Sequence, residues 1–166
     1  MVDGQIRRTC ETVLHALDLP VPFTIDAFCV NLGSDRGRPV RLRTIPADVD
    51  TPCGLWVSTG HADYVFHQTA TSPLHQEHII LHELAHMIFD HTRAGDSSED
   101  LRRELLPDLD PKVVGRVLAR TSYDSLQEQE AETLADLIGA RAHRTSSTSR
   151  GQGRFARARD VFGPAS

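Results

Sequence analysis

The segment from Pro73 to His91 constrains the fold most, because apolar residues occur on nearly every side of the helix that it predicts. Ser72 and Pro73 mark its start, since serine caps helices and proline is tolerated at the first helical position. A helix that is apolar all round is buried inside a domain. We therefore expect a central helix. Its apolar residues are Leu74, Ile79, Ile80, Leu81, Leu84, Ala85, Met87, Ile88 and Phe89.

The same segment carries the motif H-E-x-x-H at residues 82–86. Residues four apart lie one helical turn above each other, so His82 and His86 can direct two imidazole nitrogens to one point. Zinc binds imidazole nitrogen at about 2.0–2.1 Å. Glu83 lies about 100° further round the helix and suits a general base for the attacking water better than a ligand. Because these polar groups are costly to bury without a partner, we expect a metal site rather than core histidines.

A third zinc ligand is expected from a later helix, because catalytic zinc usually has three protein ligands and one open position. The helix predicted from Ser125 to about Arg141 offers three candidates. Glu128 is favoured, since alanines follow it on the same face and allow close approach. Glu130 is the alternative, because it falls near the apolar stripe. Glu132 shares the face of Glu128 and could accept the second N–H of a ligand imidazole.

Four other polar residues lie close to these two helices in the sequence. His75 and His78 continue the ligand face toward the start of the first helix, where they could line a cleft or serve as polar helix-start residues. His91 suits the negative end of the helix dipole better than a ligand position. Tyr123 could donate to an oxyanion or could simply pack.

The remaining sequence predicts an α+β domain. An amphipathic helix is expected over 6–19, and a short helix or a buried strand over 25–32, ending at Gly33. Alternating residues predict strands over 40–45, 55–58 and 64–66, the last two as a hairpin, and a helix is expected over 112–120. We expect a small antiparallel sheet, three-stranded or so, packed on a bundle of helices. Residues 1–143 form this single domain, and 144–166 form a flexible basic tail.

Charge and cysteine content exclude several kinds of function. The 18 basic and 23 acidic residues give a net charge of −5, and aromatics are 5%, which argues against direct nucleic-acid binding. No apolar run is long enough to span a membrane, and no secretory signal is visible at the N-terminus. Widely spaced cysteines indicate reduced thiols in a cytoplasmic protein: Cys10, Cys29 and Cys53.

The order of the motifs resembles the ImmA/IrrE family of gluzincin-like metallopeptidases. That family has a short mixed N-terminal half, H-E-x-x-H on a central helix, and E-x-x-A-x-x-x-A on a later helix. The chain departs from the pattern at Glu132 and Leu134, where members commonly have Asn and Phe. The resemblance covers roughly residues 24–140. The residues that carry it are His82, Glu83, His86, His91, Glu128, Ala131 and Ala135.

The resemblance implies a zincin-like fold with one Zn²⁺ per chain, held by His82, His86 and Glu128, and with Glu83 as the catalytic base. It also implies a proteolytic switch, because members are similar to enzymes that cleave a repressor or anti-repressor, often one with a helix-turn-helix. We therefore expect a metallo-endopeptidase whose partner is a protein substrate, such as a transcriptional regulator.

Two alternatives to a regulatory peptidase stay open. The chain could be a metal-binding regulatory or scaffold domain that acts by binding a transcription factor, since its small size leaves little wall for a deep cleft. It could also be a toxin-like effector from a paired operon, with the same peptidase site directed at a host protein. Glu83 favours an enzyme, because pure metal binding does not need it.

Overall fold

The computed structural model describes residues 2–45, 53–91 and 122–161, with 148–161 described as backbone only. The helices are α1 (Val2–Ala16), α2 (Ile25–Arg36), α3 (Pro73–Phe89) and α4 (Ser125–Val161). The strands are β1 (Val40–Ile45), β2 (Gly54–Ser58) and β3 (Asp63–Gln68). The α+β class is therefore confirmed. The helix expected over 112–120 lies outside the described residues.

The three strands form one sheet in the order β1-β3-β2. β2 and β3 are the predicted antiparallel hairpin, with Leu55 opposite Phe66, whereas β1 runs parallel to β3, with Leu42 opposite Val65. The expectation of an antiparallel sheet was therefore wrong for one of the two pairings. Because β3 lies between the other strands, β1 cannot pair with its sequence neighbour β2 and instead meets a strand of its own direction.

The segment after Thr24 is a helix rather than a strand. The Thr24 hydroxyl accepts a hydrogen bond from the Ala27 N–H and caps α2. The helix does not end at Gly33, as the sequence suggested, but continues to Arg36. Gly37 ends it with a φ of 69°, a left-handed conformation that glycine adopts without steric cost.

α3 is the central helix that its apolar composition predicted. The Ser72 side chain caps it by accepting from the His75 N–H, and Pro73 occupies the first turn, as expected. Its C-terminal cap is Asp90, in the left-handed conformation. The helix packs against α4 on one side and against β2 and β3 on another, which buries Leu84, Ala85 and Met87 completely. The motif therefore lies between a helix and the sheet.

α4 is longer than the sequence indicated. It was expected to end near Arg141, but its helical backbone continues to Val161, through most of the segment assigned to a tail. Hydroxyl groups of Thr145 and Ser146 donate to the carbonyl of Ala142, so both are satisfied within the helix. The flexibility of the tail stays a prediction. Among the described residues, no helix combines the length and apolar character needed to cross a membrane.

A buried carboxylate connects the sheet to the helices. Asp63 is completely buried and accepts hydrogen bonds from Arg36 Nε at 2.7 Å, Arg38 Nε at 2.8 Å and Trp56 Nε1 at 3.0 Å. Arg36 also donates to the carbonyl of Met87 at 3.2 Å, near the C-terminal end of α3. The network therefore fixes the position of the motif helix relative to β3. Burial alone would raise the pKa of Asp63, but these hydrogen bonds outweigh it and the pKa is lowered.

Replacing Asp63 by Asn should destabilise the fold strongly, because two partly buried guanidinium groups lose their shared carboxylate. We expect the free energy of unfolding to fall by about 2–4 kcal/mol in urea denaturation at pH 7. Glu11→Gln is the control, since it removes an exposed ion pair with Arg7 and should cost less than about 0.5 kcal/mol.

The pH dependence of this difference follows from the lowered pKa. A carboxyl whose pKa is lower in the folded state stabilises the fold above its unfolded pKa, and this contribution is lost as the pH falls through the folded value. The gap in stability between the wild type and Asp63→Asn should therefore narrow below about pH 4. A gap of constant size down to pH 2 would contradict this assignment.

Candidate metal centre

The candidate site lies between α3 and α4, which run antiparallel with facing polar residues. Along α3 these residues are histidines at intervals of four, and along α4 they are carboxylates at the same interval. The close approach is possible because Ala131 and Ala135 are completely buried in the contact. The facing residues are His78, His82 and His86 on α3 and Glu128, Glu132 and Asp136 on α4.

The three predicted metal ligands lie together at one end of this contact. His82 Nε2 is 3.1 Å from His86 Nε2 and 3.2 Å from Glu128 Oε2, and His86 Nε2 is 3.6 Å from Glu128 Oε1. These atoms form a group that could hold a metal ion. His86 is completely buried, whereas the Glu128 side chain is 48% exposed, so the group is open to solvent on the α4 side.

The spacing of these atoms fits a tetrahedral zinc ion. Two ligands at about 2.0–2.1 Å from a tetrahedral centre lie about 3.3 Å apart. The separations here are 3.1 Å between the two Nε2 atoms, 3.2 Å from His82 Nε2 to Glu128 Oε2 and 3.6 Å from His86 Nε2 to the other oxygen, Oε1. Each of these separations is close to the expected value, so the three side chains are placed where they could hold one ion.

Glu132 determines which nitrogen of His82 carries the hydrogen. Its Oε2 lies 3.0 Å from His82 Nδ1, and a carboxylate can only accept, so Nδ1 is the donor. In a neutral imidazole this leaves Nε2 with its lone pair directed at the metal position. This is the contact that a supporting carboxylate makes to a zinc-bound histidine.

His86 is oriented by a longer chain of hydrogen bonds. Its Nδ1 is 2.9 Å from Nδ1 of His91, and His91 Nε2 is 3.0 Å from Oε2 of Glu130. The Glu130 carboxylate accepts from His91 Nε2, which makes His91 Nδ1 the acceptor for the hydrogen on His86 Nδ1. His86 Nε2 is then also without a hydrogen. As neutral rings, both histidines would thus present Nε2 to a metal ion.

The group can accommodate either a proton or a metal ion. The Nε2 atoms of His82 and His86 lie 3.1 Å apart, and His82 Nε2 also lies 3.2 Å from Glu128 Oε2, which would accept a hydrogen from it. A divalent cation with a preference for nitrogen and oxygen ligands, such as Zn²⁺, would take the place of that hydrogen and bind all three side chains.

Glu83, the predicted base, lies on the side of α3 that faces the sheet. Its side chain is 5% exposed and is pressed against the start of β2. A Cβ atom added at Gly54 would lie 2.8 Å from Glu83 Cγ and 2.8 Å from Ile79 Cγ2, so only glycine fits here. The geometry keeps Glu83 out of the ligand set and places it between the motif helix and β2.

Tyr123 packs on His86, one of the candidate ligands. Its ring is stacked on the His86 ring with centroids 3.6 Å apart and an angle of 10° between planes. Of the two roles considered for Tyr123, the structure shows the packing contact. Hydrogen bonding to His91 and stacking on Tyr123 together fix the plane of the His86 imidazole.

The structure separates the two candidates for the third ligand. Glu128 lies with His82 and His86, whereas Glu130 points to His91 and contacts no other described ligand candidate.

The hydrogen bond between Glu130 and His91 was not predicted from the sequence. A signal was present, because His91 follows His86 by five residues and the helix ends between them, which lets the chain turn back.

Comparison of the chain with known protein families, with curated proteins and with solved structures found no match. The geometry of the side chains is therefore the basis for assigning a function. That geometry places His82, His86 and Glu128 as one group of possible metal ligands, and it buries Glu83 between α3 and β2.

Variants of the two glutamates on α4 should differ in their effect on zinc binding. Glu128→Ala removes a ligand and should weaken Zn²⁺ binding by more than about 100-fold. Glu130→Gln removes only the partner of His91 and should weaken it by about 10–100-fold, as is typical for outer partners of metal ligands. Competition with a chromophoric chelator measures both affinities. Equal affinities for Glu128→Ala and the wild type would exclude Glu128 as a ligand.

Gly54→Ala should destabilise the chain, because its methyl group would enter the space of Glu83 and Ile79. We expect a loss of about 1–3 kcal/mol in urea denaturation, the usual cost of overpacking. Gly60→Ala is the matched control, since a Cβ there has no neighbour within 4 Å and should change stability by less than about 0.5 kcal/mol. Identical stability of the two variants would show that β2 does not pack tightly on Glu83.

Proposed function

We propose that the chain is a zinc-dependent endopeptidase. The observation that carries the proposal is the meeting of the three candidate ligands at ligand spacing, together with the buried carboxylate of Glu83, which follows His82 directly on α3. Catalytic zinc sites take three protein ligands and leave a position open, whereas structural sites take four. Three ligands, with an exposed side at Glu128, therefore favour catalysis over a purely structural role.

Each residue has a defined part in this proposal. His82, His86 and Glu128 would hold Zn²⁺, which supplies a Lewis acid for the scissile carbonyl and lowers the pKa of water toward 7. Glu132 and the pair His91 and Glu130 keep the imidazoles in the tautomer that binds the metal.

Glu83 acts as the general base and acid. Its carboxylate accepts a proton from the water as that water attacks the peptide carbonyl carbon. It then donates the proton to the amide nitrogen as the C–N bond breaks, so that the products are a carboxylate and an amine. Its confinement between α3 and Gly54 limits its rotamers, which favours transfer along one path.

The substrate is proposed to bind as an extended strand beside β2. The Gln68 N–H donates to the Cys53 carbonyl, and pairing alternates along an antiparallel ladder, so the backbone groups of Gly54 and Trp56 point away from β3. β2 is an edge strand, and its Gly54 contacts Glu83. A peptide added to this edge by main-chain hydrogen bonds would therefore run past the proposed base.

The resemblance to the ImmA/IrrE family supports a protein substrate of a regulatory kind, such as a repressor with a helix-turn-helix.

A cytoplasmic location is also proposed for the chain. Cys10, Cys29 and Cys53 form no disulfide, and burial raises the pKa of Cys10 to about 11 and of Cys29 to about 12. The two buried thiols are therefore protonated and unreactive at neutral pH, as suits a reducing compartment.

Glu83→Gln tests the proposal, because the amide keeps the size of the side chain but cannot accept the proton. We expect the variant to bind Zn²⁺ with unchanged affinity and to lose hydrolysis by at least about 100-fold. A proteome-derived peptide library is incubated with the zinc-loaded chain, and new peptide termini are identified by mass spectrometry.

Glu77→Gln serves as the control, because Glu77 is on the same helix but pairs with His143 and not with the proposed site. It should produce the same new termini as the wild type. Cleavage by Glu83→Gln at the wild-type rate would exclude Glu83 as the base, and absence of new termini with the wild type would contradict peptidase activity on unfolded peptides.

A further inference from the structure

We propose that α3 and α4 hold a second, weaker site for a divalent cation, formed by His78, Glu132 and Asp136. Each of these residues offers one ligand atom, and the three atoms lie within 4.8 Å of one another. The two carboxylates face opposite nitrogens of the His78 ring: Nε2 is 3.1 Å from Glu132 Oε1, and Nδ1 is 3.9 Å from Asp136 Oδ1. A cation would bind one of these nitrogens in place of its hydrogen and draw both carboxylates toward it. The second site lies one helical turn from the first.

The second site arises because the contact between α3 and α4 repeats one helical turn further along the same two helices. In an antiparallel pair, moving four residues back along α3 corresponds to moving four residues forward along α4, a step of about 6 Å. From His82 and Glu128 this step leads to His78 and Glu132, and the next carboxylate on α4 is Asp136. The contact that aligns the first group of ligands therefore aligns the second as well.

The ligand set favours a cation of the zinc type. One imidazole and two carboxylates carry two negative charges with a neutral ring, and nitrogen with oxygen suits Zn²⁺, Co²⁺ or Mn²⁺. His78 belongs to a different helix from the two carboxylates, so this is not a row of acidic residues on one exposed face. A cavity of about 400 Å³, lined by His78 and Asp136, adjoins the group and has room for water to complete the coordination.

The second site should be the weaker of the two. Glu132 and Asp136 are 54% and 68% exposed, so water competes for their oxygens and their side chains must be ordered on binding. In addition, Glu132 already accepts a hydrogen bond from His82 through its other oxygen. We therefore expect micromolar or weaker binding of Zn²⁺.

Glu132 couples the two sites, because Oε1 faces His78 and Oε2 faces His82. A cation on Oε1 withdraws negative charge from the carboxylate and makes Oε2 a poorer acceptor for His82. Excess Zn²⁺ should then weaken the support of the first site. This coupling rests on the proposed zinc at His82, His86 and Glu128, whereas the second site itself does not.

The test is the stoichiometry of Zn²⁺ binding to the metal-free chain, measured by equilibrium dialysis with atomic absorption. The wild type should bind one equivalent tightly and a second at least about 100-fold more weakly. Asp136→Asn and His78→Gln should each weaken the second step by at least tenfold and leave the first within about threefold. Both replaced side chains are partly or largely exposed, so the fold should be retained.

Glu77→Gln is the matched control for charge, since it removes one negative charge beside the cluster without touching it, and both binding steps should persist. The second site is overturned if the wild type binds only one equivalent at millimolar Zn²⁺. It is also overturned if Asp136→Asn keeps the second step or if Glu77→Gln loses it equally. Failure of the first site would be distinguishable from failure of the second. The wild type would then lack the tight binding step, which is the step that Glu128→Ala should abolish.

Discussion

The close contact of α3 with α4 is the constraint on which the site depends. Ala131 and Ala135 are completely buried in it, and larger side chains at these positions would push the helices apart. At the distance that alanine allows, histidines of one helix meet carboxylates of the other at 3.0–3.6 Å. The ligands are thus carried by rigid elements, which is what a preorganised metal site requires.

Hydrogen bonds outside the ligand set complete this preorganisation. Glu132 acts directly on His82, whereas Glu130 acts on His86 through His91. Both chains end at a carboxylate of α4, so the helix that carries the proposed third ligand also orients the other two candidate ligands. At the C-terminal end of α3, directly after His86, the bond from Arg36 to Met87 connects the helix to the buried Asp63 and hence to the sheet. A displacement of either helix would therefore disturb several contacts at once.

The sequence predicted the features that depend on local periodicity. The caps of α3 and its central position followed from the local pattern, and so did the position of Glu128, rather than Glu130, beside the two histidines. Features that depend on pairing between distant segments did not follow. The parallel pairing of β1 with β3 depends on which strands become neighbours in the sheet. The contact between His91 and Glu130 depends on where α4 lies relative to the end of α3. The length of α4 was missed because its segment beyond Arg141 is rich in serine, threonine and glycine, which are weak helix formers.

X-ray absorption at the zinc edge of the chain, loaded with one equivalent of Zn²⁺, tests the central claim most directly. The account predicts a first shell of nitrogen and oxygen at about 2.0–2.1 Å, with the outer-shell scattering of two imidazole rings. It also predicts that the signal of one ring is lost in His86→Ala. A spectrum with sulfur ligands, or with no imidazole scattering, would show that the metal is not held by the histidines of α3.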